Sequence, residues 1–316
     1  MDGCQISVVT NCFNEASNVE EVYQRVREAV QSVSWVSSYE HIFIDNASTD
    51  QTVPILRKKA ESDSNLKIIV NNRNFGQIRS ANHGLFQASG HAVIHIVADL
   101  QDPPELIPEF LEKWRQGYAV VIGQKRLVDD GFFLKVARGS FYKIIDRLSE
   151  TPQIKNFTGF GLYDHSVVKK IEALGDPYPY FRGLITDLGF KIIAVPYDQP
   201  GRIRGVTSHN FYSLYDLAML GITNHSKVPL RLATFFGFVL ALISGFAGLF
   251  YLLYKLLAWD HFDLGVAPLV IGVFFFSSVQ LFFIGIMGEY IGSIHTQVLR
   301  RPMVVEKERI NFDSIT

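Results

Sequence analysis

Cysteine is nearly absent from this chain: Cys4 and Cys12 are its only two, both close to the N-terminus. They build neither a disulfide framework nor a zinc site, which fits a reducing compartment. An excess of charge is missing as well. With 30 Lys and Arg against 31 Asp and Glu, the net charge is −1 and the pI lies near 6.8. That balance leaves no electrostatic footprint for nucleic acid, and no nucleic-acid partner is expected. The N-terminus lacks a basic region followed by an apolar run, so no signal peptide is expected. Nor do the histidines cluster: His83, His91 and His95 make no metal-binding set, and His95, in mid-strand, reads as a satisfied core or interface histidine.

What the chain does have is hydrophobicity placed late. Its 316 residues leave room for a domain plus something extra, and the mean hydropathy of +0.14 is high for a soluble protein. Two uncharged segments, Leu232–Tyr254 and Leu264–Gly288, carry the excess. Each is long enough to cross a hydrocarbon core of roughly 30 Å as a helix. Lys227 and Arg231 precede the first, and Arg300, Arg301, Lys307 and Arg309 follow the second. Between them lie Lys255, Asp260, His261 and Asp263, with Tyr254 and Trp259 suited to the opposite interface. Positive flanks face the cytoplasm, so the N-terminal domain and the C-terminal tail are both expected there. The small residues Gly237, Ala241, Ser244, Gly245 and Gly248 permit close helix packing, within one chain or between chains, so a homo-oligomer is an open expectation.

The first 125 or so residues alternate strand and helix. Strands are expected at Ile6–Thr10, His41–Asp45, Leu66–Val70, Ala92–Val97 and Ala119–Gly123. Helices fall at Asn18–Val33, around Val53, Ile55 and Leu56, up to Gln87, and at Leu106–Trp114. Ser48, Thr49 and Asp50 can cap the second of these. This order predicts an α/β fold with a doubly wound, mostly parallel sheet. Phe132–Leu148 reads as a basic amphipathic helix, Asn156–Tyr163 and Phe190–Val195 as further strands, and Phe211–Thr223 as an amphipathic helix at a surface or membrane interface.

The polar residues gather where strands end. Ala92–Val97 is an apolar run that breaks into Asp99, Gln101 and Asp102 before Pro103 and Pro104 open a helix. Asn11–Glu15, Asp45–Asp50 and Asn71–Gln77 are three more such loops. Open α/β sheets bind ligands at the carboxyl ends of their strands. Carboxylate and amide oxygens there suit a nucleotide diphosphate together with Mg²⁺ or Mn²⁺.

With these residues in view, the sequence resembles the family-2 glycosyltransferases of GT-A fold. More narrowly, it resembles the membrane-anchored polyprenyl-phosphate glycosyltransferases, the dolichyl-phosphate mannose synthase and bactoprenol glucosyltransferase group. The resemblance runs from about Ile6 to Met303. It is carried by Asp99-Leu-Gln-Asp-Pro-Pro-Glu105, Asn72-Arg-Asn-Phe-Gly76, Phe181-Arg-Gly-Leu184 through Leu188-Gly-Phe190, and Gly288-Glu-Tyr-Ile-Gly292.

The resemblance implies a catalytic domain over 1–210, an interfacial helix at 211–230, a membrane hairpin at 231–290 and a cytosolic tail at 291–316. It implies inverting transfer of a sugar from a nucleotide sugar, with UDP-sugars favoured, to a polyprenyl phosphate such as undecaprenyl phosphate, for cell-envelope glycans. Asn14 and Glu15 would line the base pocket, Asp45 would accept from base or ribose, and Asn46, Asn74, Gly76 and Gln77 would complete the donor site. Asp99 and Gln101 would hold the metal on the diphosphate. Lys125, Arg126, Arg138, Arg202 and Arg204 are the candidates for gripping the acceptor phosphate, each with a solvated surface charge as its plain alternative. Asp102 and Asp187 are candidate general bases; a helix cap and a turn carboxylate are their plainer roles.

Four positions depart from the family pattern: Val97 in place of a first acidic residue, Asn46 in place of a second Asp, Gly161 in place of an Arg, and Ser208 in place of a Lys. Val97 and Gly161 keep open the reading of a subunit that binds donor without turnover, and transfer to a different lipid-linked acceptor is a further alternative.

Overall fold

The computed structural model describes residues 4–126, 154, 156–199, 219, 223, 226–257 and 266–312. Phe132–Leu148, Arg138, Arg202, Arg204, Ser208 and most of 211–225 therefore lie outside the described residues.

The elements run β1 (Cys4–Cys12), α1 (Val19–Gln31), β2 (Val36–Asp45), α2 (Thr52–Ala60), β3 (Leu66–Asn71), α3 (Gln77–Phe86), β4 (Ala92–Val97), α4 (Ile107–Arg115) and β5 (Val120–Lys125). After these come β6 (Phe157–Asp164), α5 (His165–Ala173), α6 (Phe181–Asp187), β7 (Ile192–Tyr197), α7 (Val228–Leu257), α8 (Val266–Leu299) and β8 (Glu306–Ile310). The strands form one sheet in the order β7-β5-β6-β4-β1-β2-β3-β8. Pairings β4–β1, β1–β2, β2–β3 and β5–β7 are parallel; β6 runs antiparallel between β4 and β5, and β8 antiparallel against β3.

Alternate residues of each strand feed opposite faces. Ile6 and Val8 of β1 join Phe43 in the core beneath α1, α2 and α4. Val9 joins Ile42 and Ile44 in the core beneath α3, α5 and α6. Phe110 and Leu111 of α4 are 0% exposed, and each such side chain contributes roughly 1.5–3 kcal/mol through removal from water.

Three expectations need correction. The segment 291–316 is not a bare tail: α8 continues to Leu299, and β8 then closes the sheet edge. Asn11 and Cys12 belong to β1 and not to the loop after it. Among the described residues, nothing packs closely on the glycines of α7 either, since a Cβ at Gly237, Gly245 or Gly248 would meet nothing within 4 Å.

Helices α7 and α8 are 30 and 34 residues long, far more than the roughly 20 that span a bilayer core. Their large apolar side chains face outward, with Phe246 69% and Phe274 70% exposed. A helix apolar on all sides and unburied by its own protein associates with a membrane. Both are long and apolar enough to cross one.

Candidate active site

The carboxyl ends of β4, β1, β2 and β3 lie side by side, so their loops meet along one edge of the sheet. The loops after β1 and β2 are stitched together. Asn14, at φ 56, accepts at Oδ1 from Thr49 N–H (2.8 Å), and its own N–H donates to Ser48 Oγ (2.8 Å). Glu15 N–H donates to Thr52 Oγ1 (2.9 Å), and Glu15 Oε2 accepts from Asn18 Nδ2 (2.6 Å). Asp50 stands just before the N-cap of α2, its Oδ1 accepting from Thr52 N–H at 2.9 Å.

Asp45 is fully buried, and its Oδ2 accepts from Ser48 N–H at 2.9 Å. Burial pushes its carboxyl above the usual range, and pushes the neighbouring Cys12 thiol up as well, with help from the Asp45 charge. Asp45 therefore builds the turn in this state and does not stand open to a ligand.

Asn46 joins this edge to the loop after β3. Its Nδ2 donates to Asn74 Oδ1 (2.9 Å), while its Oδ1 accepts from Phe75 N–H (2.9 Å) and Asn71 Nδ2 (3.2 Å). Asn74 Oδ1 also takes Gly76 N–H at 2.9 Å, and Gly76, at φ 85, turns the chain into α3. An ionised carboxylate could only accept here, whereas the Asn46 amide donates and accepts at once. Gln77 is exposed at the start of α3.

In the loop after β4, Asp99 Oδ1 accepts from Gln101 N–H at 3.1 Å around Leu100, which has φ 59. A left-handed leucine costs about 1–2 kcal/mol, and burial of its side chain (3% exposed) helps hold it there. Asp99 and Gln101 are partly open. Asp102 is not: it is 3% exposed, and Tyr197 Oη donates to its Oδ1 at 2.9 Å. Burial raises the Asp102 carboxyl to about 6; the Tyr197 bond opposes this, nearby Asp99 adds to it, and Lys125 and the Val97 N–H oppose it. Asp102 caps no helix, since neither the Pro104–Leu106 turn nor α4 has a side-chain cap.

Lys125 ends β5 in register with Tyr197, and Arg126 pairs with Asp198 at 3.1 Å. Asp187 is not part of this group. It is exposed at the end of α6, which leads to the amino end of β7, the edge away from Asp99. Gly161 lies where β5 and β6 press together: a Cβ there would stand 2.4 Å from Val121 O, so no side chain fits.

His95 is the satisfied core histidine expected from its place in mid-strand; what the sequence did not show is its partners, Asn11 and Gly159. His95 is 7% exposed, with Nε2 at 2.9 Å from Asn11 Oδ1 and Nδ1 at 3.0 Å from Gly159 O. Burial holds the imidazole below its usual pKa, so it is neutral, and Nδ1–H donates to Gly159 O. Nε2 then accepts, which turns the Asn11 amide so that its NH₂ faces the ring.

A divalent metal is implied by the resemblance, and the residues fit one of a particular kind. Among the described residues no three His, Cys, Asp or Glu side chains are grouped to hold an ion. Asp99 and Gln101 offer hard oxygens at an open edge, which suits Mg²⁺ or Mn²⁺ completed by substrate phosphates and water.

The mostly parallel sheet with its polar strand ends is a ligand-binding scaffold, and comparison with known proteins gives its class. The chain belongs to glycosyltransferase family 2, whose model matches residues 7–172. A bactoprenol glucosyl transferase derived from prophage SfII in Shigella flexneri is 34% identical over 307 residues, covering 96% of this chain and 98% of that one. A prophage bactoprenol glucosyl transferase homologue of Escherichia coli K12 is 32% identical over 96% of this chain and 98% of its own. An uncharacterized glycosyltransferase, YkcC, of Bacillus subtilis is 33% identical over 98% and 95% respectively.

Proposed function

We propose that the protein transfers a sugar from a nucleotide sugar, a UDP-sugar in the favoured case, to a polyprenyl phosphate at the cytosolic face of a membrane, for envelope glycan synthesis. The observation that carries this reading is the pairing of an open Asp99–Gln101 edge with two membrane-length helices in one chain. Full-length similarity to bactoprenol glucosyl transferases supports the acceptor class.

The reaction is an inverting single displacement. An oxygen of the acceptor phosphate forms a bond to the anomeric carbon as the bond from that carbon to the nucleotide diphosphate breaks. The acceptor is already an anion, so little general-base help is required. A bound Mg²⁺ or Mn²⁺ would supply Lewis-acid neutralisation of the leaving diphosphate. Asp99 and Gln101 orient that diphosphate. Asn14, Glu15, Asn46, Asn74, Gly76 and Gln77 shape the donor side, and Asp45 fixes the turn that carries them. Lys125 and Arg126, with Arg138, Arg202 and Arg204, hold two like-charged reactants together. Asp102, tied to Tyr197, positions the Asp99 loop.

A second reading, a donor-binding subunit without turnover, is favoured by Val97 standing where a second carboxylate would serve the metal. One experiment separates them. Membranes containing the protein are given a panel of nucleotide sugars with undecaprenyl phosphate, diacylglycerol or a lipid-linked glycan, and extracted lipids are weighed by mass spectrometry. A hexosyl polyprenyl phosphate is expected. Donor binding without any glycosylated lipid would support the second reading.

A further inference from the structure

The cytosolic-side end of α8 does not hang free. Gln297 Nε2 donates to Asp176 Oδ1 at 2.8 Å, and Arg79 Nη2 donates to Pro302 O at 2.6 Å. Between these ties, the last three turns of α8 enclose a cavity of about 520 Å³ against the first turn of α3 and the loop before α6. Arg79, Arg301, Tyr178, Ser293, Thr296 and Glu289 are among its lining.

The charge in this cavity is unbalanced. Among the described residues of its wall, which include Met219 and Thr223, two guanidiniums face one carboxylate, with His295 also on the wall and Arg73 close by. The Arg79 Nε is buried without a hydrogen-bond partner. Burial, and then the like charges of Arg73 and Arg301, work against the Arg79 charge. Guanidinium stays charged in proteins, so the cavity holds a cation short of a donor's partner and repelled by its neighbours. A phosphate oxyanion would accept from the Arg79 and Arg301 guanidiniums and offset their mutual repulsion.

We propose that this cavity binds the phosphate headgroup of an anionic membrane lipid. The lipid source follows from place. The α8 lining lies from Glu289 to Leu299, the last part of the apolar helix, where charge first enters after the uncharged run to Gly288 and where headgroups lie, and Leu299 and Pro177 give the wall an apolar part. Basic pockets beside membrane helices hold such headgroups. The site adjoins the far end of that edge, where Arg79 lies over Phe75 of the loop after β3; β3 is three places from β4 in the sheet, about 14 Å at the spacing of strands, so the cavity is distinct from the Asp99–Gln101 pair. Its effect is to fix the angle between the sheet domain and the bilayer. The proposal rests on the reading that α7 and α8 enter a membrane.

The test uses the full-length protein reconstituted in discs of phosphatidylcholine mixed with phosphatidylglycerol, then extracted gently and assayed for retained lipid by native mass spectrometry. Phosphatidylglycerol is expected to be enriched over phosphatidylcholine. Arg301→Gln, at an exposed position, and Arg79→Gln are each expected to reduce the enrichment about fivefold, the worth of one basic residue near an anionic surface. Lys113→Gln, on α4, leaves it unchanged. Equal retention of both lipids, or no loss in Arg301→Gln, overturns the proposal. Protection of the detergent-solubilised protein from thermal unfolding by inorganic phosphate, as strong as that by phosphatidylglycerol, overturns the lipid source. Failure of the folded protein to enter discs at all overturns the membrane reading instead.

Discussion

The hydroxyl of Tyr197, at the end of β7, donates to the buried carboxylate of Asp102 across 2.9 Å, joining the outermost strand to the loop that carries Asp99. Removing that hydroxyl leaves a buried acceptor short of a donor. Tyr197→Phe is expected to cost about 1–3 kcal/mol of stability, read as a lower unfolding temperature. Transfer activity should fall as well, because the Asp99 loop loses its brace. An unchanged unfolding temperature would remove the brace from the account.

Asn46 gives a second prediction. Asn46→Asp keeps the acceptor for Phe75 N–H but sets a carboxylate against Asn74 Oδ1, where an N–H now donates. The expected result is a higher KM for nucleotide sugar with a smaller change in kcat, and a stability loss of about 1–2 kcal/mol. Combining it with Asn74→Ala should cost less than the two single changes added together, since both break one contact.

The close approach at Gly161 predicts that even Gly161→Ala is costly. The new methyl would lie 2.4 Å from Val121 O, and relieving it means parting β5 from β6. A loss of about 1–3 kcal/mol is expected, measured as thermal stability. An Arg at this position should not fold with this strand pairing.

Stability should also depend on pH through His41. This residue is 1% exposed, contacts Thr10 Oγ1 at 2.8 Å through Nε2, and is held at about 3 by burial, against an ordinary value of 6.5. Below 6.5 the unfolded chain takes up a proton that the folded chain refuses until about pH 3. Stability therefore falls as pH drops through that window, by up to about 1.4 kcal/mol per unit from this group. His95, also held low by burial, adds a slope of the same sign. Denaturant titrations at several pH values should show a shallower dependence in His41→Gln, and an identical slope would contradict the assignment.

How much of this could be read from the residues depends on whether the signal was local. β1 through β5 were legible because each is an apolar run closed by polar residues, and the Asp99–Asp102 and Asn71–Gln77 loops followed from their ends. The Asp102–Tyr197 bond was not, since nothing near Tyr197 announces that β7 lies beside β5. β8 was hidden for a different reason. Its sequence, Glu306 to Ile310, is almost wholly charged and lacks the alternation of a buried strand. It is held by main-chain bonds to β3 and by Arg57–Glu308 and His83–Glu306 pairs that only the folded chain brings together. A charged edge strand also guards the sheet against pairing with another chain. Asp187 misled because its motif looks acidic and site-like, whereas the direction of α6 carries it to the other edge.

The most direct test follows sugar transfer to undecaprenyl phosphate by the purified full-length protein, before and after chelation of divalent ions, beside Asp99→Ala. Activity that vanishes on chelation, returns with Mg²⁺ or Mn²⁺, and is nearly absent in Asp99→Ala is the predicted result. Undiminished turnover without divalent ions, or in Asp99→Ala, would contradict a reaction organised around the carboxyl end of β4.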